Sequence, residues 1–164
     1  MKSARLRLEQ AVSHQQRGVA AIEFALTFSV LFLGIYGLIT FCGVLYVQQV
    51  VSRAAEDGAR AVQFFRSDMS DEDLQANVRT AIYRSLALSM ITPASEGSVP
   101  SSKEQWLRNK MADIPPEVTL PPGEVVVKVT YPYRANPLLP PLPLTQSWMP
   151  DLLTGKATAA RTSS

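Results

Sequence analysis

The stretch FALTFSVLFLGIYGLITFCGVLYV, residues 24–47, decides the fold of this chain. It is interrupted only by Thr27, Ser29 and Thr40, and no charge occurs from residue 24 to residue 52. Its 24 residues, at a helical rise of ~1.5 Å each, span roughly 36 Å, enough to cross a hydrocarbon core of ~30 Å. No other segment is apolar enough to wrap such a helix on all sides, so it reads as a membrane span and not as a buried core helix. A cleaved secretory signal has an apolar region of only ~7–15 residues followed by a small-residue cleavage site. This run is longer, and QQVVSRAAEDGARAVQFF after it keeps helical periodicity.

The flanks set the orientation. Lys2, Arg5, Arg7 and Arg17 against Glu9 make residues 1–18 a basic leader, whereas Arg53, Glu56, Asp57 and Arg60 after the span cancel one another. The positive-inside rule leaves the leader in the cytoplasm and sends the C-terminal part across the membrane, as a single-pass protein. Beyond the leader, 12 basic and 13 acidic residues remain, nearly neutral, which argues against nucleic acid as a partner. One cysteine, Cys42, excludes an intramolecular disulfide framework and a cysteine-based zinc site. The single histidine, His14, lies in the leader, which leaves a His-rich metal site or a Ser-His-Asp centre without material.

The junction between leader and span reads Arg17-Gly18-Val19-Ala20-Ala21-Ile22-Glu23-Phe24. A carboxylate inside an apolar membrane segment costs roughly 2.5–3.5 kcal/mol at the centre and less near the interface, so Glu23 either snorkels or has a partner. Glycine, then mostly small or apolar residues, then Glu-Phe opening a long apolar helix, resembles the type IV prepilin cleavage motif. The resemblance implies a prepilin peptidase cutting after Gly18. Val19 becomes the new N-terminus, and Glu23 its fifth residue, pairing with a neighbouring subunit's amine and setting register together with Phe24.

The resemblance sharpens over about residues 17–60, which look like the TadE-like family of Tad/Flp tight-adherence pilus systems. The matching pieces are Arg17-Gly18, Glu23-Phe24-Ala25, Gly34 and Gly37 in the span, Tyr46-Val47-Gln48-Gln49, and Ala54-Ala55-Glu56-Asp57-Gly58-Ala59-Arg60. Val19 in place of Phe departs from the major type IV pilins and turns the expectation toward a minor pilin or pseudopilin. The partners so implied are prepilin peptidase, other pilin-like subunits, inner-membrane assembly platform proteins and membrane lipid.

Outward from the span, the helix is expected to run on to about Phe65, with an apolar face at 47, 51, 54, 58, 62 and 65. Small residues at Ala54 and Gly58 allow close approach, within the chain or between subunits, as Gly34 and Gly37 do in the span. Ser70-Asp71-Glu72-Asp73 reads as a capping box opening a second helix, apolar at Leu74, Val78, Ile82 and Leu86, that runs to about Met90. Residues 92–123 are loop-rich, with a short helix near 103–111. EVVVKVTYPYR, residues 124–134, alternates as a strand, and TGKATAART, residues 154–162, is placed antiparallel to it. The fold expected is α+β: a long N-terminal transmembrane helix extending into a small extracytoplasmic domain with a second helix and a short antiparallel sheet. Its divisions are a leader at 1–18, the span and its extension at 19–65, and an outer domain at 66–164 with proline-rich connections.

No catalytic, metal-binding or cofactor-binding constellation stands in the sequence: no H-E-x-x-H, Walker loop or G-x-S-x-G. The function expected is therefore assembly, not turnover and without a cofactor. A membrane-anchored scaffold or surface-binding protein that never enters a filament is the alternative, and a substrate-binding enzyme subunit a more distant one.

Overall fold

The computed structural model describes residues 2–64, 69–93, 99–142 and 146–161, with side chains from Gly18 onward in the first helix. The leader side chains, Phe65 and Thr162, to which the sequence reading assigned roles, lie outside the described residues. Three helices, α1 (Lys2–Ala61), α2 (Asp71–Ala87) and α3 (Pro100–Lys110), precede or flank three strands, β1 (Glu117–Thr119), β2 (Glu124–Tyr131) and β3 (Leu153–Ala160). Single 3-10 turns cover Val62–Phe64 and Gln146–Trp148. The arrangement is α+β, as the sequence predicts.

Contacts divide the chain between Phe41 and Cys42. From Gly18 to Ile35 every side chain of α1 faces outward: Phe24 is 70% exposed, and Ile22, Leu26 and Val30 are comparably open, whereas Tyr36 and Gly37 are half-buried and Thr40 is buried. Phe24, Phe28, Phe32 and Tyr36 follow one another at four-residue spacing, with ring centroids 6.0, 6.3 and 6.1 Å apart. Ser29 and Thr40 donate to the carbonyls of Ala25 and Tyr36, so these hydroxyls are satisfied inside the helix. Residues 18–64 form one helical stretch long and apolar enough to serve as a single-pass membrane anchor.

The second unit, Cys42–Ser164, has a packed core to which the rest of α1 contributes. Val47, Val51, Ala54, Gly58 and Val62 are buried along one stripe, the face that the three- and four-residue spacing predicts. α2 presents Leu74, Val78, Ile82 and Leu86 to it. Ser70 caps α2 as expected: its hydroxyl accepts from the Asp73 amide and donates to the Asp73 carboxylate. The helix ends at Ala87, short of Met90. The Ser89 hydroxyl takes the Leu86 carbonyl, and the Met90 amide donates to the Tyr46 hydroxyl of α1, so tertiary contacts replace the last helical bonds. α3 begins at Pro100, three residues before the expected start, because proline is at home in a first helical turn. Arg108 lies over the Tyr83 ring, 4.5 Å from its centroid, tying α3 to α2.

The sheet has the order β1-β2-β3, antiparallel throughout. β2 and β3 pair from Glu124↔Ala160 to Tyr131↔Leu153, the pairing read from the sequence. Val125, Val127, Val129, Tyr131 and Tyr133 are all buried, while Glu124 and Lys128 face water. β2 stops at Tyr131 because Pro132 cannot donate to the ladder. β1 does not appear in the sequence reading: three residues between proline pairs carry too little periodicity. The turn that joins β1 to β2 lies in the stretch expected to be loop. Pro122 then Gly123 at φ +78°, with the Glu124 amide bonded to the Pro121 carbonyl, has the features of a type II turn. Burial, and secondarily the Tyr133 hydroxyl, pushes the Tyr131 phenol up to about 12.

Candidate functional site: the apolar helix and its amino-terminal junction

The residues singled out in the sequence all lie on α1, and the helix sorts them into two groups. Gly18, Val19, Glu23, Phe24 and Gly34 are exposed, and Gly37 is half-buried. Ala54 and Gly58 are buried in the second unit. The first group, Gly37 apart, faces outward. The second is consumed in folding.

At the junction, four residues separate Val19 from Glu23, about 6 Å of helix axis and a little more than one turn. They therefore lie close to one face, with Glu23 immediately before the first ring of the Phe24–Tyr36 ladder. A Cβ placed on Gly18, Gly34 or Gly37 would meet nothing within 4 Å. The chain itself thus gives no packing reason for glycine at these three positions. Small residues in an apolar helix open a face on which another helix can approach closely.

Gly58 is different in kind. A Cβ there would stand 2.5 Å from Ile82 Cγ1 and 3.5 Å from Val127 Cγ1, so glycine lets α1 touch α2 and β2 at one point. Beside it in sequence, the Asp57 carboxylate accepts from the Ser85 hydroxyl at 2.7 Å. Glu56 and Arg60 form an exposed pair at 3.9 Å, a contact of small energetic weight.

Three contributors escaped the sequence reading. Gly155 of β3 lies against the α1 backbone; a Cβ would come within 2.7 Å of Ser52 Cα and of the Val51 carbonyl oxygen. Gln48 Nε2 donates to the Thr154 carbonyl at 2.9 Å. Tyr46, as described, holds the Met90 amide. Tyr46, Gln48 and the alanine-rich piece of the motif therefore work inside the chain, where they seat β3 and α2 on the helix, while Gln49, the glutamine of the Tyr-x-x-Gln spacing, is exposed. Only the Gly155 signal, a lone glycine within an alternating strand, could have been found beforehand.

Among the described residues, no group of three or more His, Cys, Asp or Glu side chains is placed to hold a metal. The grooves of the second unit are shallow; one is lined by Tyr46, Gln49, Val50, Arg53, Asp57 and Ser85 among others, and Arg53 and Asp57 offset each other there.

Comparison with known proteins gives one family. The family model described as TadE-like protein matches residues 18–60. No curated protein and no solved structure matches the chain. The match begins at Gly18 and ends at Arg60, so it covers both the outward-facing junction and the stripe that folds into the second unit. Over residues 18–60, about a quarter of the chain, the protein is therefore similar to the TadE-like family, and that similarity suggests a component associated with a Tad pilus.

Proposed function

We propose that this protein is a non-enzymatic minor pilin or pseudopilin of a Tad-type pilus machine, supporting pilus biogenesis and adhesion. The observation that supports it best is the division of α1: a segment outward-facing from Gly18 to Ile35, opening on Gly18-Val19 and Glu23, continuous with a segment that anchors a folded unit. A helix exposed on all sides can exchange lipid for other helices without disturbing the core at Cys42–Ser164. Prepilin peptidase removes residues 1–18. Glycine lowers helix stability by ~1 kcal/mol relative to alanine, so the junction is a favourable point for the chain to extend into a protease.

After cleavage, Glu23 neutralises the new amine of a neighbouring subunit and so fixes register between parallel helices. Gly34 and Gly37 give the approaching helix its closest contact. The leader is cytoplasmic and the second unit extracytoplasmic, where it meets other pilin-like chains, while the helix meets the assembly platform in the inner membrane.

Intact-mass measurement of the membrane form, with and without a co-expressed prepilin peptidase, tests this reading. The expected result is loss of residues 1–18 only with the active peptidase, and no loss in Gly18→Val. An uncut chain beside an active peptidase would overturn the pilin reading and leave an anchored scaffold in its place.

A further inference from the structure

Past Phe64, the described residues leave six large apolar side chains open to solvent: Leu88, Met90, Val99, Leu138, Trp148 and Leu152. Five of them can be placed, and all five stand at one end of the Cys42–Ser164 unit. Met90 is next to the Tyr46 hydroxyl that its amide reaches at 3.2 Å, and Leu88 shares a shallow groove with Tyr46, Gln49 and Val50. Leu138 would lie 3.8 Å from a Cβ on Gly43, beside the Tyr133 hydroxyl at 3.7 Å.

Trp148 and Leu152 bracket residues 149–151, which Arg134 holds by bonding the Met149 carbonyl at 2.7 Å and the Asp151 carboxylate at 2.8 Å. Leu152 leads directly into β3, whose Thr154 carbonyl accepts from Gln48. The other end of the sheet is polar: the Arg161 amide bonds the Gly123 carbonyl there, and the Arg161 guanidinium pairs with Asp71 at 2.9 Å.

Apolar residues scattered singly over a surface need no explanation, but a group gathered at one end marks an interaction site. Its place along α1 says which. The group flanks residues 43–48, the last turns of the uncharged run that ends at residue 52. A helix needs ~20 residues to cross the hydrocarbon core, and the apolar run that opens at Phe24 supplies them by about Gly43. Residues 43–48 then fall at the headgroup level, where tryptophan and tyrosine collect. Trp148, 83% exposed, is of that type, and Tyr46 on α1 is another.

We propose that this end of the unit is a second membrane contact, in which Leu88, Met90, Leu138, Trp148 and Leu152 enter the phospholipid interface beside α1. The proposal rests on the reading of α1 as a membrane span. Release of the protein into a filament would then require this patch to leave lipid as well, so the patch retains the protein in the bilayer until assembly covers it.

The test uses the full chain with Trp106→Phe, which leaves Trp148 as its only tryptophan, in phosphatidylcholine–phosphatidylglycerol nanodiscs. Lipids brominated near the headgroup should quench Trp148 at least twofold, more than lipids brominated deep in the acyl chain do. Iodide quenching should fall severalfold below that of a comparison chain carrying Phe64→Trp, Trp106→Phe and Trp148→Phe. Should Trp106→Phe disturb folding, an environment-sensitive dye on Leu88→Cys in a Cys42→Ser background gives the same reading through a blue shift. Trp148 open to iodide and untouched by brominated lipid, in a chain that co-elutes with nanodiscs, overturns the proposal. So does protection that appears only when other pilin-like subunits are added. A chain that does not co-elute overturns the spanning reading itself.

Discussion

Gly58→Ala probes the point where three elements meet. The added methyl would stand 2.5 Å from Ile82 Cγ1 and 3.0 Å from its Cδ1, whereas ordinary contact begins near 3.4 Å, so Ile82 must yield by about 0.9 Å. Ile82 is fully buried, and Cγ1 is one bond from a β-branched carbon with little rotamer freedom. Overpacking of this kind costs about 1–3 kcal/mol, against a gain of ~1 kcal/mol from replacing glycine by alanine in a helix. The single substitution should therefore destabilise by roughly 0–2 kcal/mol. The sharper measurement is a double-mutant cycle. Ile82→Ala alone opens a cavity at a cost of about 2–5 kcal/mol, and the methyl that Gly58→Ala adds then moves into space instead of into Ile82. The pair should be less destabilising than the two singles added together, by about 1–3 kcal/mol. Urea unfolding of the full chain in detergent micelles, followed by tryptophan fluorescence, reads this out as shifts in midpoint at constant slope. Additivity within ~0.5 kcal/mol, or Gly58→Ala stabilising by the full propensity gain, would refute the packing argument. Gly34→Ala, where nothing lies within 4 Å, is the control and should not destabilise.

Gly155→Ala should be worse than Gly58→Ala, because its neighbours are α1 backbone atoms at 2.7–2.8 Å that cannot rotate aside; we expect ~3 kcal/mol or more and faster hydrogen exchange along β3. Alkali should unfold the second unit through its buried phenols. Tyr131 holds its proton to about pH 12 in the fold but ionises near 10 when unfolded, so its contribution is complete below pH 10 and lost as pH rises to 12; Tyr131→Phe should flatten that limb of a pH–stability curve. Glu23→Ala should leave insertion and the Cys42–Ser164 core unchanged, since Glu23 is exposed, while reducing co-purification with other pilin-like chains; Glu23→Asp should restore part of it. Wild-type assembly and adhesion in Glu23→Ala would reduce the carboxylate to an interfacial residue.

Much of the fold was legible because its signals are local. The α2 cap needs only Ser70 and Asp73 three residues apart, and the β2 face needs only alternation from Val125 to Tyr133. The α3 start was a local signal at Pro100, but the end of α2 and the existence of β1 were decided at a distance. α2 stops early because Tyr46, some forty residues upstream, takes the Met90 amide, and no local rule anticipates that bond. β1 is too short to show a period, and becomes a strand only because β2 offers it a partner over Glu117↔Lys128 to Thr119↔Val126.

For the candidate site the division is clearer still. The sequence by itself determined the long apolar helix, the Gly18-Val19 junction and the lone Glu23, because hydropathy, charge and glycine placement are properties of consecutive residues. Only the tertiary structure decided which small residues of that helix are spoken for. Ala54 and Gly58 read like Gly34 and Gly37 in sequence, yet the former are buried in the core, Gly58 against Ile82 of α2 and Val127 of β2, while a Cβ on either of the latter would meet nothing within 4 Å. The reason is physical: a glycine declares that something could come close, but what comes close is fixed by distant chain segments and by the space they leave.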